Sequence, residues 1–181
     1  MRVLAVIPAR GGSKRLPRKN ERDFRGKPLL AWTILAAHNS RLIDRFFVST
    51  EDWALGLLAH SYACRVIKRP DELATDTASS EDVLRHALSL YPAQYVVLLQ
   101  PTSPLRDGAD IDGAIGYCWR SQKPVVSYSA TGTKHGGKNG AIYVASSDWI
   151  QTHSFADEHL PYVMPDERSL DIDTMEDLCS S

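Results

Sequence analysis

Short runs rich in valine, isoleucine and leucine alternate along the chain with longer segments of helical period. The apolar runs predict five strands, at residues 3–7, 45–49, 64–68, 95–99 and 124–128. The segments between them predict four helices, at residues 28–38, 52–61, 79–90 and 110–121. Strands that are apolar on both faces and alternate with helices indicate an α/β fold with a mostly parallel central sheet.

The third predicted helix has the clearest signals. Ser79 predicts its N-cap, with Glu81 and Asp82 in the first turn. Its apolar side chains fall on one face at helical spacing, namely those of Val83, Leu84, Ala87, Leu88 and Tyr91. We expect this face to pack into the core.

The pattern changes after residue 128. Residues 129–139 are polar and contain glycines, which predicts a loop or a hairpin end. Residues 140–145 predict another strand, and residues 170–173 predict an extended segment that precedes a short helix starting at Thr174. No linker interrupts the chain, so we predict a single domain over residues 1–181.

Composition is that of a soluble globular protein, with 43% hydrophobic residues, 24% charged residues and a formal net charge of -1. These values exclude collagen-like and disordered chains. The apolar runs are far shorter than the roughly 20 residues of a membrane helix, and no cleavable signal pattern opens the chain. We therefore expect a cytoplasmic protein without a membrane partner. Cys64, Cys118 and Cys179 lack metal-ligand spacing, so we expect simple buried or surface thiols.

Charge is distributed unevenly between the two ends. Residues 1–27 carry nine basic and two acidic groups, whereas residues 152–181 carry eight acidic groups and one basic group. The basic head predicts an anionic ligand, and the acidic tail could converge on the same site. The basic run is interrupted by Gly11, Gly12 and Pro17 and lacks interleaved aromatic residues, so we do not expect nucleic-acid binding.

The loop after the first strand is the first candidate site, because ligands of open parallel sheets bind at the carboxyl ends of strands. It has neither the GxGxxG nor the GxxxxGK[ST] spacing, which argues against a dinucleotide fold and a P-loop. Gly11 and Gly12 allow backbone N–H groups to approach phosphate oxygens, and Arg10, Lys14 and Lys19 flank them. This chemistry suits a triphosphate.

Asp171 and Asp173 are candidate metal ligands. In an extended segment their carboxylates lie on one face, while Leu170 and Ile172 lie on the other. Paired carboxylates suit Mg²⁺, although the same pattern also occurs as surface charge and in metal-dependent glycosyltransferases. The scattered histidines form no pair at ligand spacing and no Ser/His/Asp arrangement, which weakens a hydrolase interpretation.

Several motifs occur in one order along the chain: PARGGSKRLPRKN at residues 8–20, GKPL at 26–29, VSTED at 48–52, RP at 69–70, ELA at 72–74, DTASS at 76–80, LLQPTSPLR at 98–106, NGAIY at 139–143 and LDIDT at 170–174. In this combination the chain resembles the acylneuraminate cytidylyltransferases, also called CMP-sialic acid synthetases. The resemblance extends from about residue 3 to residue 178.

The resemblance implies a three-layer α/β/α nucleotidyltransferase fold, Rossmann-like and similar to glycosyltransferase A. It also implies an enzyme that joins CMP from CTP to the anomeric hydroxyl of a nonulosonic acid, releasing pyrophosphate with Mg²⁺ as cofactor. Arg10, Lys14 and Asp173 would be catalytic, and Asp171 with Asp173 would bind the metal. The implied nucleotide-binding residues are Ala9, Arg10, Gly11, Gly12, Ser13, Lys14, Lys19, Asn20, Arg69, Ser79 and Ser80.

On the acceptor side, the implied substrate-binding residues are Gln100, Thr102, Ser103, Arg106 and Asn139. Gln100 can both donate and accept hydrogen bonds, as sugar hydroxyls and N-acyl groups require. Arg106 is equally consistent with binding an anion and with clamping a turn. Asn139 is expected either to line the site or to brace its loop.

The resemblance breaks around residues 129–139. Family members have a longer excursion there, which swaps across a dimer and brings basic groups to the acceptor carboxylate. This dimerisation arm is reduced here to a short stretch, so a homodimer would be weakened, and no family role transfers to Lys134 or Lys138. A non-catalytic CTP-binding homologue and an enzyme for another 2-keto-3-deoxy sugar acid such as KDO therefore remain alternatives. Retention of Arg10, Lys14, Asp171 and Asp173 favours the active enzyme.

Overall fold

A mixed sheet of seven strands forms the centre of the computed structural model, which describes residues 1–13, 16–131 and 137–179. The described strands are β1 (Val3–Pro8), β2 (Asp23–Phe24), β3 (Lys27–Pro28), β4 (Arg45–Thr50), β5 (Arg65–Lys68), β6 (Tyr95–Leu99), β7 (Val125–Ser129), β8 (Lys138–Ser146) and β9 (Leu160–Met164). The described α-helices are α1 (Leu29–Asn39), α2 (Trp53–Ser61), α3 (Ser80–Leu90), α4 (Gly108–Ser121), α5 (Ser147–Thr152) and α6 (Met175–Cys179).

The order of strands in the central sheet is β5-β4-β1-β6-β8-β7-β9. Neighbouring strands are parallel except at β8, which runs antiparallel to both β6 and β7. Helices α1 to α4 connect strands that all run in the same direction, as the alternating pattern predicts. The mostly parallel α/β fold is therefore confirmed.

Alternate residues of β1 face opposite layers of helices. Ala5 and Ile7 lie in a core cluster with residues of α1, α2 and α4, whereas Leu4 and Val6 lie in a second cluster with residues of α3 and α5. Helices cover both faces of β1, which explains why nearly all of its residues are apolar. The helices thus form two layers, one on each side of the sheet.

The five strands predicted in the first part of the chain correspond to β1, β4, β5, β6 and β7, and their boundaries agree with the structure to within two residues. The predicted boundaries of α1 to α4 agree equally well. Ser79 is the N-cap of α3, and its Oγ accepts a hydrogen bond from the Asp82 N–H at 3.0 Å. Helix α4 begins before the predicted residue because Asp107 and Asp110 form a capping box.

Three short elements were not predicted: the β2–β3 hairpin, α5 and β9. The hairpin turns through Arg25 and Gly26, both of which have positive φ angles. Strand β9 contains Pro161 and lies at the edge of the sheet, where a missing N–H is tolerated. Its proline made a strand assignment from sequence unfavourable.

A small third apolar cluster joins the two ends of the chain. Leu16, Phe24 and Leu29 pack there with Ile172, and Leu170 lies against them. The Ile172 N–H also donates to the Thr102 carbonyl at 2.8 Å. Leu170 and Ile172 therefore face the core as predicted, and the acidic tail is held beside the basic head.

Cys64 and Cys118 are buried and Cys179 is exposed, and none of these free thiols forms a disulfide. Burial raises the pKa of Cys64 to about 11 and that of Cys118 to about 12, so both remain protonated thiols at neutral pH. None of the helices formed by the described residues has the length and apolar content that crossing a bilayer requires.

Candidate active site

A cavity of about 320 Å³ opens at the carboxyl ends of β1, β5 and β6. This nucleotide cavity, as we call it, is where an open parallel sheet is expected to bind a ligand. Its described lining residues are Pro8, Arg10, Ser13, Lys19, Asn20, Arg69, Leu73, Thr75, Asp76, Ala78, Ser79, Ser80, Val83, Gln100, Pro101 and Thr102. Many of the residues that the sequence assigned to nucleotide binding therefore share one cavity.

The loop after β1 supplies the basic wall of the nucleotide cavity through Arg10 and Lys19. Asn20 is nearly buried, and its Nδ2 donates to the Arg10 carbonyl at 3.2 Å, which links the two ends of the loop. Ser13 also lines the cavity. Lys14 and its neighbour Arg15 lie outside the described residues, so the role predicted for Lys14 stays a prediction.

The sequence analysis expects the backbone N–H groups at Gly11 and Gly12 to approach phosphate oxygens. The Gly11 N–H donates to Glu51 Oε1 at 2.7 Å rather than facing the cavity. A Cβ at Gly11 would lie 2.4 Å from Asp52 Oδ2, so a larger residue there would have to displace the Asp52 side chain, which caps α2. Ala9 is fully buried in the core. Glu51 is thus a contributor to the loop that the sequence analysis missed.

Arg69 and Ser79 line the nucleotide cavity while also bracing its walls. The Arg69 guanidinium donates from Nε to Ser49 Oγ at 3.2 Å and from Nη2 to the Ser49 carbonyl. Burial lowers the pKa of Arg69 from its usual high value. Ser79 donates its hydroxyl to Asp82 Oδ2 at 2.7 Å as part of the α3 cap.

An ion pair spans the nucleotide cavity between Arg10 and Asp76. Arg10 Nη1 lies 2.5 Å from Asp76 Oδ1, and both side chains are partly exposed. Asp76 belongs to the segment after β5 and is separated from Arg10 by 66 positions. The DTASS motif at residues 76–80 includes Asp76, but no local signal indicated that its carboxylate would pair with Arg10.

The acidic tail reaches the same site. Asp173 Oδ1 lies 3.0 Å from Lys19 Nζ, and both side chains are half-buried or more. The described residues contain no cluster of three or more His, Cys, Asp or Glu side chains that could hold a metal. The Mg²⁺-binding role predicted for Asp171 and Asp173 stays a prediction.

A second cavity of about 220 Å³, the acceptor-side cavity, adjoins the first through their shared residues Ser80 and Gln100. Its described lining residues are Ser80, Glu81, Leu98, Gln100, Lys138, Tyr143, Phe155 and Ala156. Burial, with a smaller contribution from the Asp171 charge, raises the pKa of Tyr143 to about 12. Tyr143 therefore keeps its hydroxyl proton at neutral pH. The sequence analysis placed Gln100 at the acceptor but missed the other wall residues.

Three residues predicted to bind the acceptor make structural contacts. Arg106 is 2% exposed and donates to the carbonyls of Gln100 and Ser103 at 2.8–2.9 Å and to Thr33 Oγ1. Ser103 is fully buried and donates to the Asn139 carbonyl at 3.3 Å. These contacts favour the clamp interpretation of Arg106, and the binding roles of Ser103 and Arg106 stay predictions.

Asn139 braces the start of β8. Its Oδ1 accepts from Ser127 Oγ at 2.6 Å, and its Nδ2 donates to Ser169 Oγ at 3.0 Å. Asn139 is 5% exposed, so its amide holds strands together rather than contacting a ligand. The stretch that the sequence analysis interprets as a shortened arm includes residues 132–136, which lie outside the described residues, so that interpretation stays a prediction.

The sequence model of one protein family, described as cytidylyltransferase, matches residues 4–149 of the chain. This chain belongs to the cytidylyltransferase family. The match includes the loop after β1, the ends of β4, β5 and β6, and both cavities up to Tyr143. It ends before the Asp171 and Asp173 pair.

Curated cytidylyltransferases resemble the chain over most of its length. An N-acylneuraminate cytidylyltransferase of Escherichia coli is 36% identical over 206 aligned positions, which cover 95% of this chain and 49% of that protein. A CMP-N,N'-diacetyllegionaminic acid synthase of Legionella pneumophila is 43% identical over 143 positions, covering 74% of this chain and 60% of that protein. The chain thus spans about half the length of the first of these relatives.

The fold is also that of solved cytidylyltransferase structures. A CMP:2-keto-3-deoxy-manno-octonic acid synthetase complexed with CTP superposes with a TM-score of 0.78 at 16% identity. The match covers 96% of this chain and 94% of that chain. At this identity the likeness establishes the nucleotidyltransferase fold, in agreement with the expectation from the sequence motifs.

Proposed function

We propose that the chain transfers CMP from CTP to the anomeric hydroxyl of a nonulosonic, sialic-type acid and releases pyrophosphate. The observation that carries this proposal is the pair of adjoining cavities that share Ser80 and Gln100. One cavity has the basic wall that a triphosphate requires, and the other has the amide, hydroxyl and aromatic groups that suit a sugar. The relatives named for neuraminate and legionaminic acids support this acceptor class.

On the nucleotide side, Arg10 and Lys19 would neutralise the triphosphate. Both line the nucleotide cavity, and each is already paired with a carboxylate, Arg10 with Asp76 and Lys19 with Asp173. In phosphoryl and nucleotidyl transfer, the protein contributes mainly by positioning the reactants and by stabilising charge. Lys14, in the same loop, would add a further cation, and Asn20, Arg69 and Ser80 would surround the nucleoside.

Asp171 and Asp173 would hold Mg²⁺ together with phosphate oxygens and water. The backbone of their extended segment is anchored by the Ile172 N–H bond to the Thr102 carbonyl and by the burial of Ile172. When bound, the metal would neutralise phosphate charge and lower the pKa of a nearby hydroxyl. No dedicated side-chain base is then required.

On the acceptor side, the sugar hydroxyl oxygen would attack the α-phosphorus of CTP. The new bond joins that oxygen to phosphorus, and the hydroxyl proton passes to solvent water. The bond from the α-phosphorus to the oxygen that bridges to the β-phosphorus breaks, so pyrophosphate leaves with the electron pair. Gln100 belongs to both cavities and can orient the sugar at the point of attack. Tyr143, held protonated, can donate a hydrogen bond to the acceptor.

The direct test is pyrophosphate release from CTP and Mg²⁺ with a panel of acids. The panel contains N-acetylneuraminic acid, N,N'-diacetyllegionaminic acid, pseudaminic acid and KDO, with ATP, GTP, UTP and no-acid controls. Release that requires CTP and one of the first three acids is expected. Release with KDO alone would assign the chain to a different sugar-acid class.

A non-catalytic CTP-binding homologue is the second candidate. The observation that favours it is the short stretch at residues 129–139, where family members have a longer segment that brings basic groups to the acceptor carboxylate. CTP binding by calorimetry without turnover of any acid would support this candidate and would contradict the transferase proposal.

Asp76→Asn is expected to tighten CTP binding about two- to fivefold. A triphosphate must displace Asp76 from Arg10, and a partly exposed ion pair contributes at most about 1 kcal/mol. Calorimetric titration with CTP at low and high salt measures the change, which should shrink as salt screens the pair. The matched control is Asp71→Asn, which replaces an exposed acid at the start of the 3-10 helix Asp71–Leu73 and should leave the affinity unchanged. Weaker binding by Asp76→Asn would show that Asp76 assists the nucleotide instead of competing with it.

A further inference from the structure

The peptide group between Arg10 and Gly11 is held from both sides. Its carbonyl, which belongs to Arg10, accepts a hydrogen bond from Asn20 Nδ2 at 3.2 Å. Its N–H, which belongs to Gly11, donates to Glu51 Oε1 at 2.7 Å. Because a peptide group is planar, these two hydrogen bonds fix its orientation and therefore the direction in which the Arg10 side chain leaves the backbone. We call this arrangement the peptide clamp.

The peptide clamp lies directly beside the nucleotide cavity. Arg10 and Asn20 line that cavity, whereas Glu51 is not among its described lining residues. The residue before Arg10 is held as well, since the Ala9 N–H donates to the Ser49 carbonyl at 3.0 Å. Glu51 can therefore act on a ligand there through the loop that it holds, whereas Arg10 faces the cavity itself.

The second carboxylate oxygen of Glu51 does not add to stability. Oε2 is buried and has no hydrogen-bond partner among the described residues. Burying such an oxygen costs free energy of folding, and proteins keep these exceptions mainly at functional sites. Burial lowers the pKa of Arg69, and the charge of Glu51 opposes that change while the charge of Arg10 adds to it. The Arg69 cation is therefore close enough to Glu51 to offset part of the cost.

We propose that Glu51 is a positioning residue, which holds the Arg10–Gly11 peptide group so that the Arg10 guanidinium meets the triphosphate of CTP. This inference rests on the proposed function, because it takes the ligand of the nucleotide cavity to be CTP. The Gly11 N–H then supports the loop and does not bind a phosphate oxygen. Glu51 acts through its hydrogen bond, since Oε1 is the atom that the Gly11 N–H contacts.

A double-mutant cycle with Arg10 tests whether Glu51 acts through that residue. CTP affinity is measured by calorimetric titration for wild type, Glu51→Ala, Arg10→Met and the double variant. Glu51→Ala should weaken CTP binding about 10- to 30-fold when Arg10 is present and less than about threefold when Arg10 is already methionine. Equal losses with and without Arg10 would show that Glu51 supports the fold alone, and they would overturn the inference.

Glu51→Gln separates the hydrogen bond from the charge. Glutamine keeps a carbonyl oxygen that can accept from the Gly11 N–H, so this variant should bind CTP within about threefold of wild type. A loss as large as that of Glu51→Ala would overturn the inference, because the charge and not the hydrogen bond would then matter. The matched control is Glu21→Gln, which replaces a carboxylate of the same loop. Its partner, Arg18, is not among the described lining residues of either cavity, so the control should bind CTP as wild type does.

A measurement on the wild-type protein does not depend on the folding of a variant. In NMR hydrogen exchange, the Gly11 amide should exchange slowly with water both without CTP and with saturating CTP, since Glu51 is its acceptor in both states. Fast exchange of the Gly11 amide without CTP would overturn the inference. Absence of CTP binding by wild type would overturn the nucleotide assignment as well, whereas CTP binding without turnover of any acid would contradict only the transferase proposal.

Discussion

Asp173→Asn is expected to lower kcat by at least about a hundredfold at saturating CTP and acceptor acid. The substitution removes one of two carboxylates that we propose as metal ligands, and metal stabilisation of transition-state charge contributes several kcal/mol, with about 1.4 kcal/mol for each tenfold in rate. It also removes the 3.0 Å ion pair with Lys19. The measurement is pyrophosphate release as a function of Mg²⁺ concentration.

The dependence on Mg²⁺ separates these two roles of Asp173. Loss of a metal ligand should raise the Mg²⁺ concentration required for half-maximal rate. Loss of Lys19 positioning alone should raise KM for CTP with an unchanged Mg²⁺ dependence. The matched control is Asp148→Asn, which replaces an exposed acid in the first turn of α5. This variant should have the same rate and the same Mg²⁺ dependence as wild type. Full activity of Asp173→Asn at all Mg²⁺ concentrations would remove Asp173 from the metal site.

Arg106→Ala is expected to destabilise the fold by about 3 kcal/mol, because the carbonyls of Gln100 and Ser103 and the Thr33 hydroxyl lose a buried donor. Burial lowers the pKa of Arg106 to about 9, so the guanidinium is still charged at pH 7. For a protein of this size, the loss corresponds to a decrease in Tm of roughly 6–12 °C. Thermal unfolding followed by circular dichroism measures it.

Arg65→Ala is the matched control for this substitution. Arg65 is an exposed residue of β5, and its replacement should change the unfolding free energy by no more than about 0.5 kcal/mol. An Arg106→Ala variant that melts like wild type but has a raised KM for the acceptor acid would restore the alternative role of Arg106 as an anion ligand.

The fold class and most elements of the central sheet were predictable because their signals are local. Strand β1 is apolar at every buried position, and α3 has its apolar residues at helical spacing after a serine cap. The order of the motifs along the chain also indicated the nucleotidyltransferase family. The antiparallel direction of β8 and the edge strand β9 had no comparable signal, since strand direction and pairing depend on residues distant in sequence.

For the site, the sequence by itself determined which residue types are present: a basic glycine-containing loop, a glutamine at the end of a strand and an aspartate pair near the tail. Only the tertiary structure decided which of these residues are buried and which contacts they make. It buried Arg106 as a clamp, turned the Gly11 N–H toward Glu51 and placed Lys19 against Asp173 across 154 positions of sequence. The reason is physical: burial and ion pairing are set by which distant segments pack together, and periodicity along a single segment carries no information about that packing.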